Sequence, residues 1–184
     1  MKKSILIIFS LYAFNSYGQQ ALAKQGINID SLFKSEQNIA IGKSFPLFTV
    51  YYHDKKYTNR NLLGKTIFIN FWYTACAPCM AELSELNKLN DTLKSNKKFE
   101  FLSFTFDSPR VIRKIMKRFK IRYKIFSLEM KEFNRLSMYQ FFPTSIIVGS
   151  DGKILFFKIG GSLNKEEVMN TIFLEYYPKI LNAL

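Results

Sequence analysis

Residues 66–83 read Thr66-Ile-Phe-Ile-Asn-Phe-Trp-Tyr-Thr-Ala-Cys-Ala-Pro-Cys-Met-Ala-Glu-Leu83. Thr66 to Trp72 is a near-continuous apolar run, the pattern of a central strand covered on both faces. From Pro78 to about Ser95 the residues Leu83, Leu86, Leu89, Asn90 and Leu93 recur at helical spacing. A buried strand therefore feeds a helix, and both cysteines of the chain, Cys76 and Cys79, stand at the junction. A helix N-terminus carries unpaired N–H groups and a partial positive charge, which stabilise a thiolate. Two thiols placed there have the layout of a thiol–disulfide exchange site.

The chain has 184 residues, which suits one domain with a short extension. Its 48% apolar content supplies a core and excludes a disordered chain, and 19 Phe with 10 Tyr make that core largely aromatic. The net charge of +13 falls by two without Lys2 and Lys3. Such a balance favours acidic partners or anionic membrane surfaces, and serves equally as a solubility device.

Residues 1–18 read as a signal peptide. Lys2 and Lys3 open it, Ser4 to Phe14 is mostly apolar, and Ser16-Tyr17-Gly18 precedes a cut at Gln19. The other reading is an uncleaved N-terminal anchor. Both expect export to the periplasm or cell envelope. In that compartment cysteines usually staple a fold, but a Cys76–Cys79 bridge closes too small a loop to stabilise much. Its purpose is better sought in chemistry.

Residues 19–40 are a polar lead-in with a weak helix near 31–38, and the domain spans 41–184. Phe45–Tyr52 and Lys56–Thr58 predict a hairpin turning at His53-Asp54-Lys55. Phe99–Phe106 is a buried strand. Ser108-Pro109 starts a helix whose apolar face is Val111, Ile112, Ile115, Met116 and Phe119, with Arg110, Arg113, Lys114, Lys117 and Arg118 opposite. A short strand at Lys124–Leu128 and a helix at Lys131–Tyr139 follow. Thr144–Val148 and Ile154–Ile159 form a hairpin through Gly149-Ser150-Asp151-Gly152, and a last helix runs from Lys165 to Tyr177, stopped by Pro178. The order predicts an α/β protein with a mixed central sheet, helices on both faces and an N-terminal β-hairpin extension.

A bare Cys-x-x-Cys is also half of a zinc site, but zinc takes four ligands and the chain offers two Cys and one His, His53. Haem attachment needs a His after the second Cys, where Met80 stands. Pro78 sits where a first-turn proline loses no hydrogen bond. Cys76, at the exposed helix start, is the expected attacking thiolate, and Cys79, nearly one turn inside, resolves the mixed disulfide.

The segment from Asn70 to Glu82 resembles the active-site stretch of thioredoxin-like proteins, and within them the exported TlpA/ResA-type thiol–disulfide oxidoreductases. Gly42-Lys-Ser-Phe-Pro-Leu-Phe48 and Leu63-Gly-Lys65 upstream, and Phe142-Pro143-Thr144-Ser-Ile-Ile-Val148 with Asp151-Gly152-Lys153 downstream, extend the likeness over residues 41–177. The resemblance implies a thioredoxin-like fold with Cys76 and Cys79 as the redox pair, needing no metal and no cofactor beyond that disulfide. It implies a cis-proline at Pro143, with Trp72, Pro78, Phe142, Pro143 and Thr144 at the substrate site. It matches Glu82 to a glutamate near the thiols that opposes thiolate formation and relays protons. The alternative for Glu82 is a first-turn acid countering the helix dipole. Two departures stand out: Asn70 occupies the place of a buried Asp in cytoplasmic thioredoxins, and Ala75 replaces a frequent Trp.

The implied partners are protein thiols and disulfides of the envelope, with a membrane electron donor if the chain is a reductant. Preparation of apocytochrome c cysteines is one such role. Nucleic acid is not expected; the basic face 110–120 is a place for docking on an acidic partner or for peripheral membrane contact, the alternative being a solvated face. A thiol peroxidase would need Pro-x-x-x-Thr-x-x-Cys, where Ile69 and Tyr73 stand. A copper-delivery protein would use a wider cysteine spacing and a distant His. An inactive docking module would have no need of both cysteines, Pro78 and Pro143.

Overall fold

A computed structural model of the chain describes Ser35 and residues 38–184. The expected signal peptide, nearly all of the lead-in and most of the weak helix near 31–38 lie outside the described residues. From Thr49 onward the elements are β1 (Thr49–Tyr52), β2 (Lys55–Thr58), α1 (Asn59–Leu62), β3 (Thr66–Phe71), α2 (Ala77–Leu93), β4 (Phe99–Thr105), α3 (Pro109–Phe119), β5 (Lys124–Ser127), α4 (Met130–Ser137), β6 (Thr144–Val148), β7 (Ile154–Ile159), α5 (Lys165–Asn170), a π-helical turn (Thr171–Tyr176) and α6 (Tyr177–Asn182).

Five strands form one mixed sheet in the order β5-β4-β3-β6-β7. β3 pairs in parallel with β4, and β4 with β5, while β6 runs antiparallel to both β3 and β7. Every residue of β3, β4 and β6 is buried, as expected of strands covered on both faces. The period of two sorts their side chains. Phe68 and Trp72, with Phe101 and Ile147, join a core cluster with Leu83, Leu86 and Leu89 of α2, Ile112 and Ile115 of α3, and Ile172 and Tyr176. Phe71 and Phe104 point the other way. They meet Phe133 of α4, Phe126 and Phe48, and Phe126 in turn meets Tyr57 of β2.

The β1–β2 hairpin is a separate two-stranded sheet, and its first strand starts at Thr49, later than the expected Phe45. The Asn59 side chain takes over the backbone groups that a longer strand would have paired. It accepts from Phe48 N–H at 2.7 Å and donates to the carbonyls of Phe45 and Pro46 at 3.2 and 3.1 Å. α4 ends two residues before the expected Tyr139, because Met138 turns into the left-handed region at φ 65°. Pro178 does not stop the last helix. The π turn ahead of it bonds Tyr177 N–H to the Ile172 carbonyl; that wider spacing relieves the clash a proline ring makes with the carbonyl four residues back.

Trp72 has no exposed surface, and its Nε1 donates to Ser103 Oγ at 2.7 Å. Trp72→Phe leaves that hydroxyl unpaired and a gap beside it, so it should lower the unfolding free energy by roughly 2–4 kcal/mol in denaturant titration. Adding Ser103→Ala should restore part of the loss; an additive further loss would mean the bond is unimportant.

Candidate active site

The site forms where β3 and β4 end side by side. Trp72 N–H still bonds the Phe104 carbonyl at 3.1 Å, after which the chain turns away. Asp107, just past β4, holds that turn: Thr74 N–H and Oγ1 donate to its carboxylate oxygens at 2.8 and 3.0 Å. Cys76 N–H closes on the Tyr73 carbonyl, and Cys76 becomes the N-cap of α2.

Cys76 and Cys79 are joined as a disulfide, with Cα atoms 5.2 Å apart. Cys79 N–H, one of the helix's unpaired donors, points at Cys76 Sγ from 3.3 Å. When the bond is reduced this donor and the helix dipole both favour negative charge on that sulfur. Cys79 is 0% exposed and Cys76 only 6%. Cys76 is thus the more accessible thiol but sits deeper than an exposed helix start, because it belongs to the same core cluster as Trp72 and Leu83, with Tyr73 and Phe142 packed against it. Pro78 occupies one of the first two helix positions.

The Phe142–Pro143 peptide bond is cis. Phe142 is half-buried between the Tyr73 and Phe133 rings, at 5.7 and 4.9 Å. Three of the expected substrate contacts, Trp72, Pro143 and Thr144, are buried in this oxidised form. Trp72 and Thr144 are fully enclosed, so they shape the rim from beneath; Thr144 Oγ1 donates to the Phe141 carbonyl at 2.5 Å.

Gly161 was not among the residues singled out from the sequence, yet it joins the two prolines. Gly160 N–H bonds the Pro143 carbonyl at 2.8 Å. A Cβ on Gly161 would stand 2.8 Å from Pro143 Cγ and 3.6 Å from Pro78 Cβ. The only sequence signal is the Gly160-Gly161 pair after the last strand. Gly161→Val should force the Pro143 loop outward and slow exchange with a protein disulfide by roughly ten- to hundredfold. Stopped-flow tryptophan fluorescence would follow it, and an unchanged rate would remove Gly161 from the rim.

Beneath the pair lies a buried polar group of residues. Glu82 is 4% exposed and sits three residues after Cys79, on the same side of α2. It is not in the first turn, which contains no acid, so the dipole-countering alternative is corrected. Asn70 Nδ2 donates to Glu82 Oε1 at 2.8 Å and to Ser145 Oγ at 3.3 Å. Burial pushes the Glu82 carboxyl up to about 8, against the opposing pull of the Asn70 hydrogen bond. Burial, with the nearby Glu82 charge, also raises the Tyr123 and Tyr176 hydroxyls. Asn70 in place of Asp leaves one acid here instead of two. His53 lies in the β1–β2 turn, its ring against Tyr52 at 4.6 Å.

The Redoxin family model matches residues 40–172. The thiol-disulfide oxidoreductase ResA of Bacillus cereus is 29% identical over 150 residues, covering 80% of this chain and 83% of that protein. The ResA of Halalkalibacterium halodurans is 26% identical over 182 residues, covering 94% and 93%. Among solved structures, a thioredoxin-family thiol:disulfide interchange protein from Chlorobium tepidum superposes with a TM-score of 0.61 at 20% identity, covering 77% of this chain and 95% of that one. At that identity the likeness speaks for the fold.

Proposed function

The chain belongs to the Redoxin family, and on that premise we propose that it exchanges disulfides with proteins of the cell envelope through Cys76 and Cys79, as a reductant. It is a thiol–disulfide oxidoreductase of thioredoxin-like fold. The observation that carries the mechanism is the helix-terminal N–H of Cys79 aimed at Cys76 Sγ.

In the reduced chain the Cys76 thiolate attacks one sulfur of a substrate disulfide. A Cys76–substrate disulfide forms, and the other substrate sulfur leaves as a thiolate that takes up a proton. Cys79 then loses its proton and attacks Cys76 Sγ. This closes the Cys76–Cys79 bond and releases the second substrate thiol. Two electrons have moved to the substrate; of its two new thiol protons, one balances the proton lost by Cys79 and the other comes from solvent, and no cofactor enters the cycle.

Glu82 suits the proton of the second step. A buried carboxyl pushed up to about 8, three residues from Cys79 on the same side of α2, is placed to exchange a proton with that thiol. Gly161, Pro78 and Phe142 line the rim a substrate chain would meet. The leader-like residues 1–18 support export, and a reductant there needs a membrane electron donor. Apocytochrome c cysteines are one substrate consistent with this role. No helix among the described residues is long and apolar enough to cross a membrane.

The test is the reduction potential of the pair, measured by equilibration in defined thiol buffers. A value near about −250 mV or lower supports a reductant, whereas one between about −180 and −120 mV reverses the proposed direction. Absence of any reversible disulfide would overturn the exchange reading itself.

A further inference from the structure

The helix that follows Asp107 is basic without relief. Arg110, Arg113, Lys114, Lys117 and Arg118 of α3 are all exposed, and no acidic residue lies within the helix. Their spacing of three and four places them along one helix face. Among the described residues every ion pair involves other cations, and none of these five takes part. Arg118 lies over the Phe119 ring at 5.3 Å.

This arrangement costs the folded chain something. Like charges at three and four residues' spacing repel one another along a helix face. Arg110 also places a cation in the first turn, against the dipole. A stripe of one sign beside a reactive site is complementary to a counter-charge that arrives with a partner.

The stripe starts at the site. Asp107, which receives the Thr74 hydrogen bonds, precedes the helix by two residues, and Thr74 precedes Cys76 by two. The helix then runs alongside α2, since Asn87 Nδ2 reaches the Lys120 carbonyl at its far end at 3.0 Å. A molecule whose cysteines reach Cys76 lies next to this ridge. The apolar residues of α3 are turned inward: Ile112 and Ile115 are buried, and Val111, Met116 and Phe119 pack on the core. The outer face therefore has no apolar side chains to insert into a lipid interface, which membrane-lying helices use. It can bind only by charge.

We infer that the outer face of α3 is a docking surface for substrate proteins that carry an acidic patch beside their cysteines. The inference rests on the exchange reading and names its substrate class.

The probes are two synthetic peptides with the same internal disulfide, one flanked by glutamates and one by lysines. The reduced full chain should turn over the acidic peptide at least about tenfold faster near 10 mM salt, where the Debye length is about 30 Å. The advantage should vanish near 1 M salt, where that length is about 3 Å. In Arg113→Glu, Lys114→Glu, Lys117→Glu the ratio of the two rates should fall to about one or invert. The matching glutamine variant should lie between. A charge-matched control, Lys43→Glu, Lys97→Glu, Lys98→Glu, alters the opposite end of the sheet and should keep most of the ratio.

Equal rates in the native chain, or a ratio equally reduced by the control, would overturn the docking surface and leave exchange intact. If the peptides react alike while α3-dependent sedimentation with phosphatidylglycerol vesicles is seen, the surface serves lipid and the inference is wrong. If neither peptide is reduced by the native chain, the exchange reading has failed first.

Discussion

Cys76→Ser should abolish disulfide exchange, and Cys79→Ser should turn the chain into a trap that accumulates mixed disulfides. The asymmetry follows from the helix start. Cys76 is the N-cap, with a backbone donor 3.3 Å from its sulfur and the only exposed surface of the two cysteines. Cys79 is fully enclosed, so no substrate sulfur reaches it until Cys76 has formed the first bond. Without Cys79 the intermediate has no intramolecular route to release, and resolution falls to external thiols. Non-reducing gels of Cys79→Ser mixed with a disulfide-bonded protein should show a band that dithiothreitol removes. If Cys76→Ser formed that adduct and Cys79→Ser did not, the roles would be exchanged.

Glu82→Gln carries the second large effect, and it has two readouts. The carboxyl titrates near 8 in the folded chain because burial outweighs the Asn70 hydrogen bond. In the unfolded chain it titrates near its ordinary 4.5. Between those values the folded state holds a proton that the unfolded state has lost. Stability from this group is therefore complete below about pH 4.5 and falls as pH rises toward 8, by up to about 1.4 kcal/mol per pH unit. Glutamine resembles the neutral acid and does not titrate. The variant should lack this slope and exceed the native chain in stability at pH 8, as read from denaturant midpoints across pH. In exchange, removing the proton acceptor should slow the second step by about a hundredfold and erase the ionisation near pH 8 from the rate profile. A gain in stability with an unaltered profile would make Glu82 a buried acid without a part in the reaction.

Glu82 is only partly legible in the sequence. Its distance from Cys79 along a helix is legible as three residues, and so is the choice between a proton relay and a first-turn acid. That it is enclosed and bonded to Asn70 depends on strand β3 and helix α2 packing face to face. The sequence separation of 12 residues carries no periodic sign of it. Gly161 is similar: its closeness to Pro143 and Pro78 joins the end of β7 to a loop and a helix start distant in sequence. The hairpin's late start has a comparable cause, since Asn59 captures backbone groups that the strand pattern of 45–52 assigns to a ladder.

What the sequence determined by itself was local or periodic. The apolar run of 66–72, the leucine spacing after Pro78, the caps at Ser108 and Pro109, and the Gly149–Gly152 turn specify elements whose order admits a mixed sheet, and they put both cysteines at a strand-to-helix junction. What only the tertiary structure decided was depth and proximity: how far Cys76 is sunk, which carboxyl lies in the core, which glycine closes the rim, and that the basic stripe begins beside the disulfide. Periodicity reports which side of an element is covered, whereas burial and charge at a site are set by residues far apart in the chain, which meet only when the elements pack.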